Sequence, residues 1–430
     1  MSREKVESRN PWTWVPSLYY AEGIPYALVM LVSVIMYKRM GVSNAKIGFY
    51  TGILYLPWVI KPLWSPIIDM VKKKRFWIIL MQFIVALGLL GVSLSLHLPN
   101  FLLFTIIFFF LMAFSSATHD IAADGFYMLG LDVHKQAYFT GIRSTFYRLA
   151  IITAQGFLVI IAGELEKSGN IPNAWSTVFL ILTIIFFLFF VYHSFILPYP
   201  AADKAVFNTE TNNPVKNFFK TFLLFFKKEK IGLIIAFLLI YRMGEAQLIT
   251  IAQLFLKDPR NVGGLGLTTI QIGFVYGTVG VIALSLGGIV GGLLAARNGL
   301  KFWLWPMFIA INIPALVYIF LSYNQPSSFY IISSMVAIEQ FCYGFGFTAY
   351  MLYMIYIVVG EYKTSHYAIA TGFMALSMMI PRLFSGELQE LLGYKNFFVW
   401  VLITMIPGIF IVKHLSIDPE FGKKNDNPKV

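Results

Sequence analysis

Apolar and polar positions along the chain separate into long blocks rather than short alternations. Runs of about twenty apolar residues recur from end to end, the length that crosses the hydrocarbon of a bilayer at ~1.5 Å per residue. They predict twelve spanning helices, at approximately 14–37, 46–69, 76–97, 100–130, 136–164, 174–197, 230–256, 268–296, 302–322, 328–359, 365–392 and 396–414. The longest polar break, 198–229, is basic and separates six spans from six. Within it Phe218, Phe219 and Phe222 stand beside Lys216 and Lys220, which predicts a short amphipathic helix on the membrane surface. The expected organisation is an N-terminal six-helix bundle over 1–197, a cytoplasmic linker over 198–229 and a C-terminal six-helix bundle over 230–430.

Composition agrees with an all-α membrane protein. Of 430 residues 58% are hydrophobic and only 13% charged. The 33 Lys and Arg against 21 Asp and Glu could suggest a nucleic-acid partner, but their placement argues otherwise. They fall in short loops between spans, roughly threefold more on one side than on the other, so both termini are expected on the cytoplasmic side and no nucleic acid is expected as a partner. Cys342 is the single cysteine, which excludes an intrachain disulfide. The first apolar run lacks a small-residue cleavage pattern and is long enough to span, so it reads as a retained helix. A monomer surrounded by membrane lipids is expected.

Ionisable residues inside the spans carry the functional argument, because a charge at mid-membrane costs roughly 2.5–3.5 kcal/mol on insertion scales and rarely faces lipid. Residues 115–148 are the densest stretch, with His119, Asp120 and Asp124 on span 4 and Arg143 and Arg148 on span 5. Asp120 and Asp124 are four apart and project from nearly one helix face. They either carry protons and contact substrate, or pair with Arg143 or Arg148 to hold the half together. Two carboxylates this close compete for charge, which suits a proton carrier. Glu22 lies in AEGIPYAL (21–28), where Gly23 and Pro25 loosen the helix, and reads as a site or a hinge. Arg242 and Glu245 share a face of span 7 and either pair with each other or meet substrate. Glu339 and Gln340 on span 10 are followed by Tyr343, Tyr350, Tyr353 and Tyr356, which would stack on sugar rings or anchor at the interface. Lys61, among Pro57, Trp58 and Trp64, either binds an anionic group or snorkels to the surface. His119 is equally a satisfied hydrogen-bonding residue or a proton relay. Arg382 and Glu387 complete the set on span 11, whereas spans 3, 9 and 12 hold no Asp, Glu, Lys or Arg in their interiors.

Enzyme signals are poor. The six histidines and one cysteine form no metal-ligand spacing, no cofactor is called for, and no Gly-rich loop follows a strand. The glycines of GTVGVIALSLGGIVGG (277–292) lie within a span, where close helix packing or bending explains them.

The two halves repeat weakly. SPIIDMVKKKRFW (65–77) corresponds to GGLLAARNGLKFW (291–303), and DVHKQAYFTG (132–141) to EYKTSHYAIATG (361–372). Two six-span halves related by an axis along the membrane normal are the plan of the major facilitator superfamily. GGLLAARNGLK is similar to that superfamily's loop signature, with Ala296 at the aspartate position, while the first half keeps Asp69 followed by Lys72, Lys73, Lys74 and Arg75. Asp69, Lys73, Arg75 and Arg297 are therefore expected as gating-loop residues. In that fold the first helix of each three-helix unit lines the central cavity and the third faces lipid, and the charges follow that partition.

AEGIPYAL (21–28), LPWVIKPLWSPIID (56–69), ATHDIAADGFY (117–127) and ATGFMALSMMIPRLFSGELQELLGY (370–394) resemble the AmpG-type muropeptide permeases of that superfamily, which are related to acetyl-coenzyme A transporters. The resemblance covers most of the chain and keeps the order of motifs. On span 4 Thr118, Asp120, Ile121 and Asp124 match the family pattern, His119 replaces its glutamine, and Tyr127 stands at its arginine; on span 11 Arg382 and Gly386 match. The resemblance implies proton-driven import of N-acetylglucosaminyl-anhydromuramyl peptides across a bacterial inner membrane. Asp120, Asp124 and Glu22 would then carry the proton. Arg143, Arg148, Arg242, Glu245, Glu339, Gln340, Tyr343, Lys61, His119 and Arg382 would line the substrate path. The alternatives are a transporter of another sugar conjugate or of acyl-coenzyme A, an integral-membrane enzyme, or a ligand sensor without transport.

Overall fold

A computed structural model describes residues 9–131, 133–201, 203, 222–358 and 363–423. Among them the chain is helical apart from turns and short connections. Nine helical stretches among the described residues are long and apolar enough to cross a membrane. Span 1 is Pro11–Arg39, span 3 Lys74–Ser95, span 4 Phe101–Gly130, span 6 Ile171–Ile196, span 7 Ile231–Lys257, span 8 Thr269–Asn298 and span 9 Leu300–Asn324. Span 2 is broken into Asn44–Ile53 and Leu56–Val71, where Pro57 begins the second piece. Span 5 runs from Val133 through a widened turn, Ile152–Leu158, to Leu165. Span 10 is Phe329–Ile357. Spans 11 and 12 follow from Lys363, parted at Gly393 by a backbone angle of φ 71°, which only glycine adopts at little cost, and span 12 continues past Ile403 as Ile406–His414. This is the expected all-α, twelve-span architecture.

Packing divides the chain into two compact units, Met1–Gly41 with Leu54–Phe218, and Val42–Ile53 with Phe219–Val430. The division falls inside span 2, whose first piece belongs with the C-terminal unit and lies against span 11. There a Cβ on Gly386 would stand 2.1 Å from the Asn44 carbonyl oxygen, so only glycine admits the contact. The N-terminal unit is built around Trp14, Leu18 and Tyr19 of span 1 and Ala122, Ala123 and Phe126 of span 4. The C-terminal unit is built around Phe237, Tyr241, Tyr350 and Tyr353. Spans 8 and 10 approach so closely that a Cβ on Gly287 would meet the Phe341 carbonyl at 2.0 Å and one on Gly344 the Leu284 carbonyl at 2.1 Å. Within 277–292, Gly280, Gly287 and Gly291 thus serve close packing.

Burial grades the spans. Span 1 is 83% buried over its most apolar window and span 6 only 33%, so span 6 presents Ile184, Phe187, Leu188 and Phe195 to lipid as expected. Spans 3 and 9 depart from the expected lipid-facing role, each being 61% buried. Span 3 is sandwiched between spans 4 and 6, which is why it can hold the fully buried Gln82. Of the expected amphipathic helix, Lys216, Phe218, Phe219 and Lys220 lie outside the described residues. The helical turn 222–226 that follows puts Phe225, fully buried, against His366 and Phe373.

Candidate functional site

Four spans of the N-terminal unit converge on one group of charges. The helical period sets Asp120 and Asp124 on one face of span 4. Gly23 lets span 5 close on span 1, for a Cβ there would stand 2.8 Å from Ala150 Cβ and 2.9 Å from the Tyr147 carbonyl. That approach brings Arg143 Nη1 to 2.9 Å from Asp124 Oδ1 and 2.9 Å from the Tyr19 hydroxyl, which itself donates to Asp124 Oδ1 at 2.9 Å. The guanidinium also lies over the rings of Tyr19 and Tyr127, 5.0 and 5.1 Å from their centroids.

Lys61 of span 2 pairs with Asp120. It is held inside the unit rather than snorkelling to a surface. Glu22 of span 1 lies near Asp120. Its Oε2 is buried with no hydrogen-bond partner among the described residues, and it lines a crevice with about 180 Å³ of empty space together with Pro25, Gln82, Ser116, His119 and Phe186. Pro25 cannot donate the helical hydrogen bond to the Ala21 carbonyl, and the backbone widens at Leu28–Val32, one turn on. The loosening expected from Gly23 and Pro25 is therefore in place beside Glu22. Three acids and two cations thus share one site.

A second polar chain leads away from it. Gln82 Nε2 is 3.0 Å from His119 Nε2, Gln82 Oε1 is 2.9 Å from His193 Nδ1, and His193 Nε2 is 2.9 Å from Ser17 Oγ. Sequence reasoning assigned no role to Tyr19, Gln82, Ser17 or His193. The available signal was a single amide and a single imidazole in otherwise apolar spans.

In the C-terminal unit span 7 breaks at Arg242, and Glu245 lies in the first turn of the new segment, where the helix dipole favours an acid. The pair is bidentate, Nε to Oε2 at 2.8 Å and Nη2 to Oε1 at 2.6 Å, and is almost wholly buried. Arg242 also donates to the Tyr343 hydroxyl at 3.1 Å and lies 4.5 Å from the Phe347 ring centroid. Glu339 accepts from Tyr318 at 2.6 Å and from Gln340 at 3.0 Å, and Tyr318 continues to Tyr276 at 2.5 Å. Arg382 is fully buried. A group that sequence reasoning missed joins Asp258 to Tyr394 at 2.5 Å, with Asn44 Nδ2 at 3.1 Å from Tyr394 and 2.7 Å from Gln389.

Other expected residues lie apart. Arg148 is exposed, and the ion pair with Asp124 is made by Arg143. The side chain of Asp69 is outside the described residues. Lys73 precedes the first turn of span 3, and Arg75 donates to the Ser194 carbonyl at 2.5 Å and the Leu197 carbonyl at 3.3 Å. Asp203, from the polar break, caps the same helix by accepting from the Lys74 and Arg75 amides at 2.7 and 3.1 Å. Arg297 is exposed in the last turn of span 8.

A bundle of spanning helices with charges gathered inside it is the build of a membrane transporter. The profile of the Major Facilitator Superfamily matches residues 19–386, and the chain belongs to that family. It is a transporter of that superfamily and not an enzyme. Among its relatives, the putative transporter AmpG 4 of Rickettsia conorii is 25% identical over 92% of this chain and 94% of its own length. The anhydromuropeptide permease of Escherichia coli is 24% identical over 95% of this chain and 80% of its own. The AmpG-type resemblance read from the motifs is thus repeated in whole-chain similarity. Among solved structures, the nucleoside transporter NupG superposes with a TM-score of 0.70 at 12% identity, covering 95% of this chain and 100% of that one. A D-xylose–proton symporter gives 0.69 at 13% identity, covering 94% and 97%. At such identities the structures show the fold alone.

Proposed function

We propose that the chain imports anhydromuropeptides, the sugar–peptide fragments of the bacterial cell wall, across the inner membrane by proton-coupled alternating access, with both termini in the cytoplasm. The observation that carries the reading is the charge count of the N-terminal site: Glu22, Asp120 and Asp124 against Lys61 and Arg143. Carboxyl groups gathered in one site, as Glu22, Asp120 and Asp124 are, compete for negative charge. A site with one acid more than its cations can neutralise is suited to load and release a proton. Arg143, partly exposed beside Asp124, is the cation suited to the lactyl and peptide carboxylates of such a substrate. Similarity to the AmpG-named proteins supports the substrate class.

The test is uptake of labelled N-acetylglucosaminyl-anhydromuramyl peptide into proteoliposomes, with and without an inward proton gradient. Gradient-dependent accumulation, abolished in Asp124→Asn with exchange or folding still detectable, is the expected result. Normal accumulation in that variant would overturn the role of Asp124. Binding without flux points to a sensor, and no binding moves the search to acyl-coenzyme A and other sugar conjugates.

A further inference from the structure

Gln82 and His193 have no part in the proposed transport site and His119 was expected only along the substrate path, yet Gln82, His193 and His119 are 1%, 0% and 4% exposed and come from three different spans. A carboxamide has one accepting and one donating end. Set between two imidazoles, it meets one ring nitrogen that carries a hydrogen and one that does not. With Oε1 toward His193, the His193 Nδ1 is protonated and the His119 Nε2 offers a lone pair. With the amide turned over, the two requirements exchange, and the heavy atoms stay where they are. Both rings cannot present a hydrogen to it at once.

Ser17 makes the outer end equally tolerant. Its hydroxyl can donate to His193 Nε2 at 2.9 Å, or accept from it while donating to the Trp14 carbonyl at 3.2 Å. His193 therefore keeps all its hydrogen bonds as a neutral or a cationic ring. Ser17 is only partly buried, near the start of span 1, whereas His119 adjoins Asp120 and the crevice that holds Glu22. The charged and titratable groups around the pair are Glu22, Asp120 and its partner Lys61 on the His119 side. On the other side they are Tyr192, in ring contact with His193, and Arg75 and Arg9, bound to the carbonyls of Ser194 and Phe195.

We propose that His119 and His193, bridged by Gln82, form a second proton-binding site that holds one proton at a time. His119 exchanges that proton with the acid cluster, and His193 exchanges it with the Ser17 end of span 1. Occupancy of one ring turns the amide and excludes the other, so the two sides are never loaded together. The proposal rests on the proton-coupled reading for its role, but its chemistry is testable without transport.

The experiment is a pH titration of the 15N-histidine signals of the full-length protein in nanodiscs, assigned with single His→Gln variants. The pair is expected to take up one proton, the second binding only well below the first. In Gln82→Leu the two rings are expected to titrate independently. Two independent titrations in the unsubstituted protein would overturn the proposal without any variant, and so would a separation that survives in Gln82→Leu. In proteoliposomes Gln82→Leu and His193→Gln should each reduce gradient-driven accumulation about tenfold more than they reduce counterflow exchange, a size ordinary for coupling between sites. Equal losses in the two assays would mean that the residues only pack, and would overturn the coupling. If the unsubstituted protein shows no gradient-driven uptake at all, the proton-coupled reading fails, while the titration still decides the histidine pair.

Discussion

Replacing Arg242 by methionine separates the structural charges from the working ones. The Arg242 and Glu245 side chains are 6% and 8% exposed, and both carboxylate oxygens are engaged by the guanidinium. Removing the cation leaves a carboxylate buried without its counter-charge, a change that costs roughly 3–5 kcal/mol in such settings. Against a total stability of about 5–15 kcal/mol that is a large fraction. It should lower the Tm of the C-terminal unit by roughly 10 °C. Glu245→Gln should cost a similar amount, and the double variant Arg242→Met/Glu245→Gln should recover most of the loss, because no buried charge then remains. Arg143 and Asp124, at 34% and 48% exposed, fall in the range where a pair contributes only about 0–1 kcal/mol, so Arg143→Met should scarcely change stability while it impairs uptake. The assay is thermal unfolding in detergent followed by a thiol-reactive dye at Cys342, the one cysteine, which is partly buried on span 10. An Arg242→Met protein that melts with the parent, or a double variant no more stable than the sum of the single losses, would refute the reasoning.

Three further outcomes are expected. Gly344→Val should destabilise by about 1–3 kcal/mol, since its Cβ meets the Leu284 carbonyl at 2.1 Å and span 8 must move away. Asp203→Ala should cost about 1 kcal/mol through loss of the cap on span 3, read by the same melting assay, and Asp203→Asn should recover much of it. Tyr19→Phe removes the hydroxyl that Asp124 and Arg143 share, a net loss of about 0.5–1.5 kcal/mol, and should reduce proton-driven uptake with little change in Tm; uptake equal to the parent would remove Tyr19 from the site.

Much was legible before the fold. Apolar run length marks each span, because a helix that crosses hydrocarbon must satisfy its own backbone and cover its surface with apolar side chains. The fourfold spacing of Asp120 and Asp124 puts them on one face whatever surrounds them. The order of motifs was enough to point to the family. The glycines of 277–292 announced close packing, though not that their partners would be Phe341 and Phe345 of span 10.

What the tertiary structure decided is which charges meet. Periodicity fixes the face of a residue on its own helix, but the rotation and neighbours of that helix come from packing against others. The contact of Gly23 with Ala150 is such a choice: it sets span 5 so that Arg143, not Arg148, reaches Asp124. The approach of Lys61 to Asp120, the bridge of Gln82 between two histidines from different spans, and the meeting of Asn44 with Gln389 and Tyr394 are likewise decided by packing. Each joins residues far apart in sequence, and no local pattern encodes a distance between helices. The sequence by itself determined that this chain crosses a membrane many times and hides charge within it; only close packing of small residues decided how that charge is paired.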